Sequence, residues 1–443
     1  MRLNEKKFFE LAKQNGFEAA DLVYSHSVST SVSIFHSEIN SFTEHETISL
    51  NARGIVNGKF GAVSTEQIDK NTPQFLVDSI KETAKIIEKD EKGIIFKGSK
   101  KYHKKNLFNK AVEEMNVSDA IKTCLEIEKK LLAYDKRINE VVAVGYENET
   151  NDCYLTNTYG LKLKSKQGTY TYYCEITAKN GEEVRTGFKV FVSMDPSEFN
   201  VDNFVKEVAE DALKKLGSTQ CKSKKYPVVF NPETASILLK CFLGPIDYEE
   251  VEKKSSCFVG KLNQQIASKK LNVVENGLAK NIFFDYFDDE GVAINKKDII
   301  KKGVLQTYLY TLETAKKAGV EATGNGEVVG GKTHAKLNQI FVKPGRKSEE
   351  EIMSSIKEGV YITDLQGIHA GINHRSGNFS LQSSGFMIRD GKIAEPLSLI
   401  TIADNLLNVF NNIKAIANNS KLIVQTAATC PSIYVKKISV TGK

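Results

Sequence analysis

The sequence predicts an α+β protein: two consecutive helix–strands–helix units followed by a larger, mostly antiparallel, β-rich C-terminal domain. Three observations predict it. Segments of apolar/polar alternation are joined by Asn-Gly pairs, as half-buried strands in hairpins require. Segments with helical apolar spacing flank those strands, and the order occurs twice. The remainder, from Tyr226 onward, is rich in strand patterns and glycine turns and carries two well-marked helix starts. The expected boundaries are 1–90, 91–222 and 223–443.

In the first unit, Phe8, Leu11 and Ala12 mark one face of an opening helix. Asp21 to Phe35 alternates (Leu22, Tyr24, Val28, Val32, Ile34) as a strand does, and further strands are expected at Thr47 to Arg53 and Lys59 to Thr65, turning at Asn57-Gly58. Pro73 suits the first position of a helix whose apolar face is Leu76, Ile80, Ala84 and Ile87. The charged stretch Glu88 to Lys110 links the units, and its basic part, Lys97 to Lys105, reads as a solvated linker.

In the second unit Ser118 is the expected cap of a helix bearing Ile121, Cys124, Leu125 and Leu132. Strands are expected at Glu140 to Tyr146, Cys153 to Thr158, Thr169 to Lys179 and Glu183 to Val192, with Asn180-Gly181 as the hairpin signal. Val201, Val205, Val208 and Ala212 mark a closing helix ending near Gly217. The repeated element order suggests an internal duplication, although residue identities do not repeat. In the third segment, Ser348 and Glu351 form a capping box opening a helix with Ile352 and Ile356 that stops at Gly359. Asp404 is expected to cap a helix running through Leu406, Val409, Phe410, Ile413 and Ile416. Strands are expected between His369 and Ile402 and again from Ser432 to Val440.

The 443 residues include 41% hydrophobic and 26% charged side chains, which excludes a disordered, collagenous or coiled-coil chain. Sixty-one Lys+Arg against 55 Asp+Glu is a mild excess, unlike the clustered excess of a nucleic-acid binder. No apolar run is long enough to span a membrane. The N-terminal MRLNEKKFFELAKQNG lacks a signal peptide's apolar region, and seven scattered cysteines without CxxC fit a reducing, cytoplasmic setting.

Residue chemistry exposes no self-evident active site. The seven histidines (His26, His36, His45, His103, His334, His369, His374) include no HExxH pair, and a spacing of five puts His369 and His374 on opposite faces of a strand. Cys241, in ASILLKCFLGP, reads as a buried core thiol, and Cys430, before a proline, as structural. No GxSxG elbow or Walker loop is present, and ATGNGEVVGG lacks the strand-then-helix context of a phosphate loop. The acidic cluster Asp285, Asp288, Asp289 and Glu290 suits acid/base work or a hard cation, but equally a turn with Gly291 as its permissive residue.

A series of short blocks in the third segment resembles the TldD/PmbA family: SSCFVGKLNQQIAS, FFDYFDDEGV, KKGVLQTYLYTLETAKKAG, ATGNG, GIHAGINHRSGNFSLQSSGFMIRDGKI and CPSIYVKKISVTG, in that order. The first unit is also similar to that family's N-terminal domain. One branch of the family carries a zinc-binding HExxxH helix and is a metallopeptidase; the other, TldE or PmbA, lacks it and pairs with the first. At the matching stretch this chain reads LLKCFLGP, with Lys240 and Pro245 at the two His positions and Cys241 at the Glu position. The resemblance therefore implies the zinc-free branch, no cofactor in this chain, and zinc in a TldD-like partner subunit.

It also implies a role in binding extended or unfolded peptides for maturation and proteolysis, with the peptide held by main-chain hydrogen bonds. Asp288, Asp289, Glu290, Gly291, Thr323, Gly324, Asn325, Gly326, His369, Gly371 and Asn373 are the family-signature positions expected at the peptide groove. Two alternatives stay open: a stand-alone homodimeric peptide-binding or regulatory protein, and an independent hydrolase using Cys241, Cys430 or the Asp285–Glu290 cluster.

Overall fold

The computed structural model describes residues 4–86, 93–329 and 332–443, so Ile87 of the expected helix face and the boundary between the first two units lie outside the described residues. Helix α1 (Glu5–Gln14) precedes three strands, β1 (Phe17–Phe35), β2 (Glu38–Val56) and β3 (Lys59–Thr65), and helix α2 (Thr72–Ile86). The second unit places the helix Val117–Tyr134 before β4 (Ile138–Asn157), β5 (Lys162–Asn180) and β6 (Glu183–Ser193), and closes with the helix Val201–Leu213.

The two units share one sheet of order β3-β2-β1-β4-β5-β6. Their first strands, β1 and β4, pair antiparallel at its centre from Asp21↔Asn157 to Ile34↔Val144. That mirrored order is what two copies of one unit produce about a two-fold axis, in line with the duplication read from element order. Asn57 (φ 50°) and Gly58 (φ 72°) form the left-handed turn that two-residue hairpins need.

Several local expectations are corrected. The segments 140–146 and 153–157 belong to the single strand β4, which ends one residue before the expected Thr158, and β2 begins nine residues before Thr47, at Glu38. Cross-strand pairing holds these exposed ends extended where the alternation fades. Asn116, not Ser118, caps the helix Val117–Tyr134, because its side chain already accepts the Ser118 N–H. The Ser348 capping box is present, but its helix is only Glu349–Met353. Ser354 and Ser355 Oγ turn back onto the carbonyls of Glu351 and Ile352 at 2.9 and 2.7 Å, and Gly359 lies in the strand Glu358–Gln366. Asn405, not Asp404, caps the helix Leu406–Asn411, and Ile413 and Ile416 belong to the strand Ile413–Ile416.

The C-terminal domain holds two six-stranded sheets, one through Lys224–Phe230 and Glu358–Gln366, the other through Val273–Glu275 and Ile340–Val342. Most pairings are antiparallel, but Lys224–Phe230 with Glu358–Gln366 and Ile340–Val342 with Ala428–Cys430 run parallel. The helix Pro232–Leu243 packs against strands of both sheets, and its Leu238, Leu239, Phe242 and Leu243 enter the largest apolar core. Among the described residues no helix is long and apolar enough to cross a membrane.

Candidate functional site

The helix Pro232–Leu243 starts as its sequence dictates. Asn231 accepts the Thr234 N–H at 2.8 Å, and Pro232 occupies the first turn, where a missing N–H costs nothing. Replacing Asn231 with alanine should cost about 1 kcal/mol, seen as a lower urea midpoint.

Lys240 and Cys241 lie on the last turn of this helix and are half-buried, which corrects the expectation of a buried Cys241. The helix is apolar on most of its circumference, and Lys240 at this end lies within electrostatic reach of Lys336. Burial, reinforced by the neighbouring Lys336 ammonium, holds the Lys240 pKa below its ordinary value against the pull of Glu275 and Glu327. Burial pushes the Cys241 thiol up to about 11, so it is a protonated thiol near neutrality. Pro245 lies beyond the α-helix, in the 3-10 turn Gly244–Ile246, and its carbonyl accepts the Ser256 hydroxyl at 2.6 Å. The residues here do not fit zinc: an ammonium beside a second ammonium repels a dication, and proline has no side-chain donor.

One group of metal-ligating side chains stands nearby among the described residues: Asp247, Glu249 and His334, with donor atoms within 4.8 Å of one another. The sequence reading did not connect them, because His334 comes from a hairpin distant in the chain. Each has protein partners. Asp247 caps the short helix Tyr248–Glu252 through the Glu249 N–H and also accepts the Ala335 N–H at 3.3 Å. Glu249 pairs with Lys253 and with His334 Nδ1, the latter at 3.5 Å. The arrangement ties a hairpin to a helix start.

The acidic run occupies the junction between the N-terminal sheet and the C-terminal domain. Phe284, Tyr286 and Phe287 pack with Leu155 and Leu163 of β4 and β5 in a small apolar core. Tyr286 Oη accepts the Lys164 N–H at 3.0 Å, and Gln167 donates to the Phe284 carbonyl at 2.6 Å. The segment expected as a solvated linker is docked here: Tyr102 donates to the Gly291 carbonyl at 2.7 Å, and the Ala293 N–H donates to Ser99 Oγ at 2.9 Å. Only its lysine side chains, such as Lys100 and Lys101, remain exposed.

Asp288 closes the turn by accepting the N–H groups of Glu290 and Val292 at 3.0 and 2.8 Å, with Gly291 at φ 83°. Its second oxygen accepts the Gly326 N–H at 2.8 Å, which joins the FFDYFDDEGV and ATGNG blocks. Glu290 accepts the Leu312 N–H, and a Cβ on Gly326 would lie 2.6 Å from Glu290 Oε2, so any larger residue there would displace the Glu290 side chain. Asp289 is exposed and accepts the Val328 N–H at 2.8 Å. Thr323 bonds the Tyr310 backbone, Gly324 takes the left-handed conformation at φ 69°, and the Asn325 amide bridges Glu275 and the Lys336 carbonyl at 2.8 Å each. Burial, aided by the Glu290 charge, pushes the Asp288 carboxyl up to about 8 despite its three N–H donors, and burial raises Asp285 to about 6.

The HAGIN block lies elsewhere. His369 is exposed on the one-turn helix Ile368–Gly371. A Cβ on Gly371 would meet the Ser380 carbonyl at 2.4 Å, and Asn373 Oδ1 accepts the Arg375 and Ser376 N–H groups in a turn. The His374 carbonyl accepts the Cys257 N–H, linking this block to SSCFVGK. Among the described residues no hydrogen bond connects it with the Asp288–Gly326 knot.

Comparison with known proteins agrees with this architecture. The description "PmbA/TldA metallopeptidase domain 1" matches residues 20–89, the central domain matches 110–216, and the C-terminal domain matches 223–442. A Buchnera aphidicola protein named Metalloprotease PmbA homolog is 29% identical over 74% of this chain and 72% of its own length. Metalloprotease PmbA of Escherichia coli O157:H7 is 26% identical over 76% and 72%. A solved Thermotoga maritima structure, described as a candidate modulator of a DNA gyrase, is 27% identical with a TM-score of 0.91 over 99% of both chains. TldE from Thermococcus kodakarensis shares the fold, with a TM-score of 0.90 at 20% identity over 99% and 100%. With the sheet order, the central helix and the signature blocks in place, these matches establish that the chain belongs to the PmbA/TldD metallopeptidase family.

Proposed function

We propose that this chain is the non-catalytic, TldE/PmbA-like subunit of a two-subunit zinc peptidase: zinc resides in the TldD-like partner, and this chain forms part of the cleft for extended peptides. The observation that carries the reading is the substitution pattern on a preserved helix. The helix Pro232–Leu243 is capped and packed, yet Lys240, Cys241 and Pro245 stand where two imidazoles and a carboxylate would be needed. No side chain among these three both binds a dication and activates water at neutral pH. An obligate partnership would bury more than ~2,000 Å².

Three groups of the hydrolase alternative are poor nucleophiles. Cys430 is fully buried with its pKa raised by desolvation, Cys241 is a protonated thiol, and Asp288 is enclosed by its three N–H donors.

The test is reconstitution. The chain alone should not cleave an unstructured peptide. Mixed with a TldD-like protein carrying HExxxH, it should support cleavage that a chelator abolishes and that Lys240→Ala leaves within about twofold. Chelator-sensitive cleavage by the lone chain would refute the proposal. A peptide-binding homodimer that ignores every TldD-like protein would favour the stand-alone alternative. The triple replacement Lys240→His, Cys241→Glu, Pro245→His should still bind zinc at well below one equivalent by metal analysis. Position 245 sits past the helix end in a 3-10 turn, and the further ligands and outer hydrogen bonds are not supplied.

A further inference from the structure

A concave site lined by none of the residues of the helix Pro232–Leu243 lies in the C-terminal domain. The segment Lys343-Pro344-Gly345-Arg346-Lys347 forms one wall of a cavity of about 710 Å³, with Lys270 and Lys414 on the others. Ile352, Ile416 and Tyr434 add apolar lining. No aspartate or glutamate lines it, and among the described residues none of the five cations is in an ion pair. Many lysines elsewhere on this chain are paired with a carboxylate, as Lys224 is with Glu358 and Lys297 with Glu275.

The wall is built to stay in place. The Lys343 N–H donates to the Asn272 carbonyl at 3.0 Å, the Gly345 N–H to Ala417 at 2.9 Å, and the Asn418 N–H to the Lys347 carbonyl at 2.9 Å. A Cβ on Gly345 would fall 1.9 Å from the Ile416 carbonyl oxygen, so the loop lies directly on the edge strand Ile413–Ile416. Lys270 Nζ donates to the Lys414 carbonyl at 2.6 Å, which fixes another cation at the rim. Holding five positive charges around one hollow without counter-charge is unfavourable, and a ligand bearing several negative charges relieves it.

The same geometry selects the kind of anion. Phosphate sites present converging backbone N–H groups, commonly at a helix start. Here Pro344 has no N–H, and those of Lys343 and Gly345 are spent on the pins. The adjacent helix Glu349–Met353 opens with Glu349, Glu350 and Glu351, which do not line the cavity. Carboxylates spaced by apolar side chains instead match separate cations beside apolar lining. We propose that this cavity binds an acidic peptide segment, its carboxylates on Lys270, Lys343, Arg346, Lys347 and Lys414 and an apolar side chain on Ile352, Ile416 and Tyr434. The site is independent of the peptidase reading.

The test uses the full chain and a short fluorescent peptide of glutamate, leucine and glycine, followed by anisotropy. The combined Lys343→Glu, Arg346→Glu, Lys347→Glu variant should weaken binding at least about tenfold with an unchanged melting profile, since these side chains are exposed. Lys100→Glu with Lys101→Glu, an equally exposed reversal elsewhere, should leave affinity within about twofold, and added salt should weaken the wild-type complex. Replacing the leucines of the probe by glycine should weaken it further. Equal binding of a lysine-for-glutamate peptide, or equal loss in the control variant, would overturn the proposal. Tighter binding of pyrophosphate or oligothymidylate at the same residues would overturn the peptide assignment.

Discussion

Replacing Arg53 with alanine should destabilise the protein by about 3–5 kcal/mol, the loss expected when one partner of a buried ion pair is removed. Arg53 on β2 lies directly opposite Asp21 on β1 and meets it with two donors, Nε to Oδ1 at 2.9 Å and Nη2 to Oδ2 at 2.5 Å. The Asp21 side chain is 2% exposed, and that of Arg53 13%. Arg53 is also attracted electrostatically by Glu290 and Asp288 across the junction. Its removal therefore strands a buried carboxylate and withdraws the positive charge that faces Glu290. A urea series should show the lower midpoint, and limited proteolysis should open the linker near Tyr102 first. Arg53→Lys should recover only part of the loss, because an ammonium lacks the planar fork. A midpoint shift worth less than about 1 kcal/mol would show that the pair contributes little.

The second large effect is a dependence of stability on pH. The Asp288 carboxyl is held at about 8 in the folded chain against an ordinary 3.8, and Asp285 at about 6. A raised acid pKa means that the folded state retains a proton the unfolded state has released. Stability therefore falls as pH rises from the ordinary value through the folded one. Between pH 6 and 8, Asp288 alone gives a slope approaching 1.4 kcal/mol per pH unit, and Asp285 adds the same sign between about 4 and 6. Asp135, held down to about 2 by its Arg137 partner, acts in the opposite sense only as pH drops below its ordinary range. Urea midpoints at pH 6 and pH 8 should show the fall, and Asp288→Asn should flatten it. That variant should also lose roughly 1–3 kcal/mol at pH 6, because its amide NH₂ would face the Gly326 N–H in place of an acceptor oxygen. A flat pH profile in the parent chain would refute the protonated Asp288.

Local signals were legible in the sequence where one residue type decides the geometry. Asn57-Gly58 is an instance, because a left-handed turn leaves few alternatives. The Ser348–Glu351 capping box was equally legible, but the length of its helix was not, since Ser354 and Ser355 redirect the carbonyls behind them. Caps slipped by one or two residues, at Asn116 and Asn405, because several side chains in a row were able to cap. The role of FFDYFDDEGV was hidden for a different reason. Aromatic residues that dock on a remote sheet obey the same local pattern as those in their own core, and only the tertiary partners, Leu155 and Leu163, distinguish the two. The meeting of Asp288 with Gly326, and of Asp247 with His334, likewise depends on chain segments that no local periodicity relates.

The seam between β1 and β4 is a continuous antiparallel strand pairing from Asp21↔Asn157 to Ile34↔Val144. Shear along it would break the whole row at once, so the first two units travel together as a stiff paddle. The paddle meets the C-terminal domain at two places, the ring-filled socket around Phe284 and Phe287 with the strap held by Tyr102, and the bonds of Thr219 with Pro396 and Ser398. Loosening the socket would leave the paddle tethered at Thr219 and unbent.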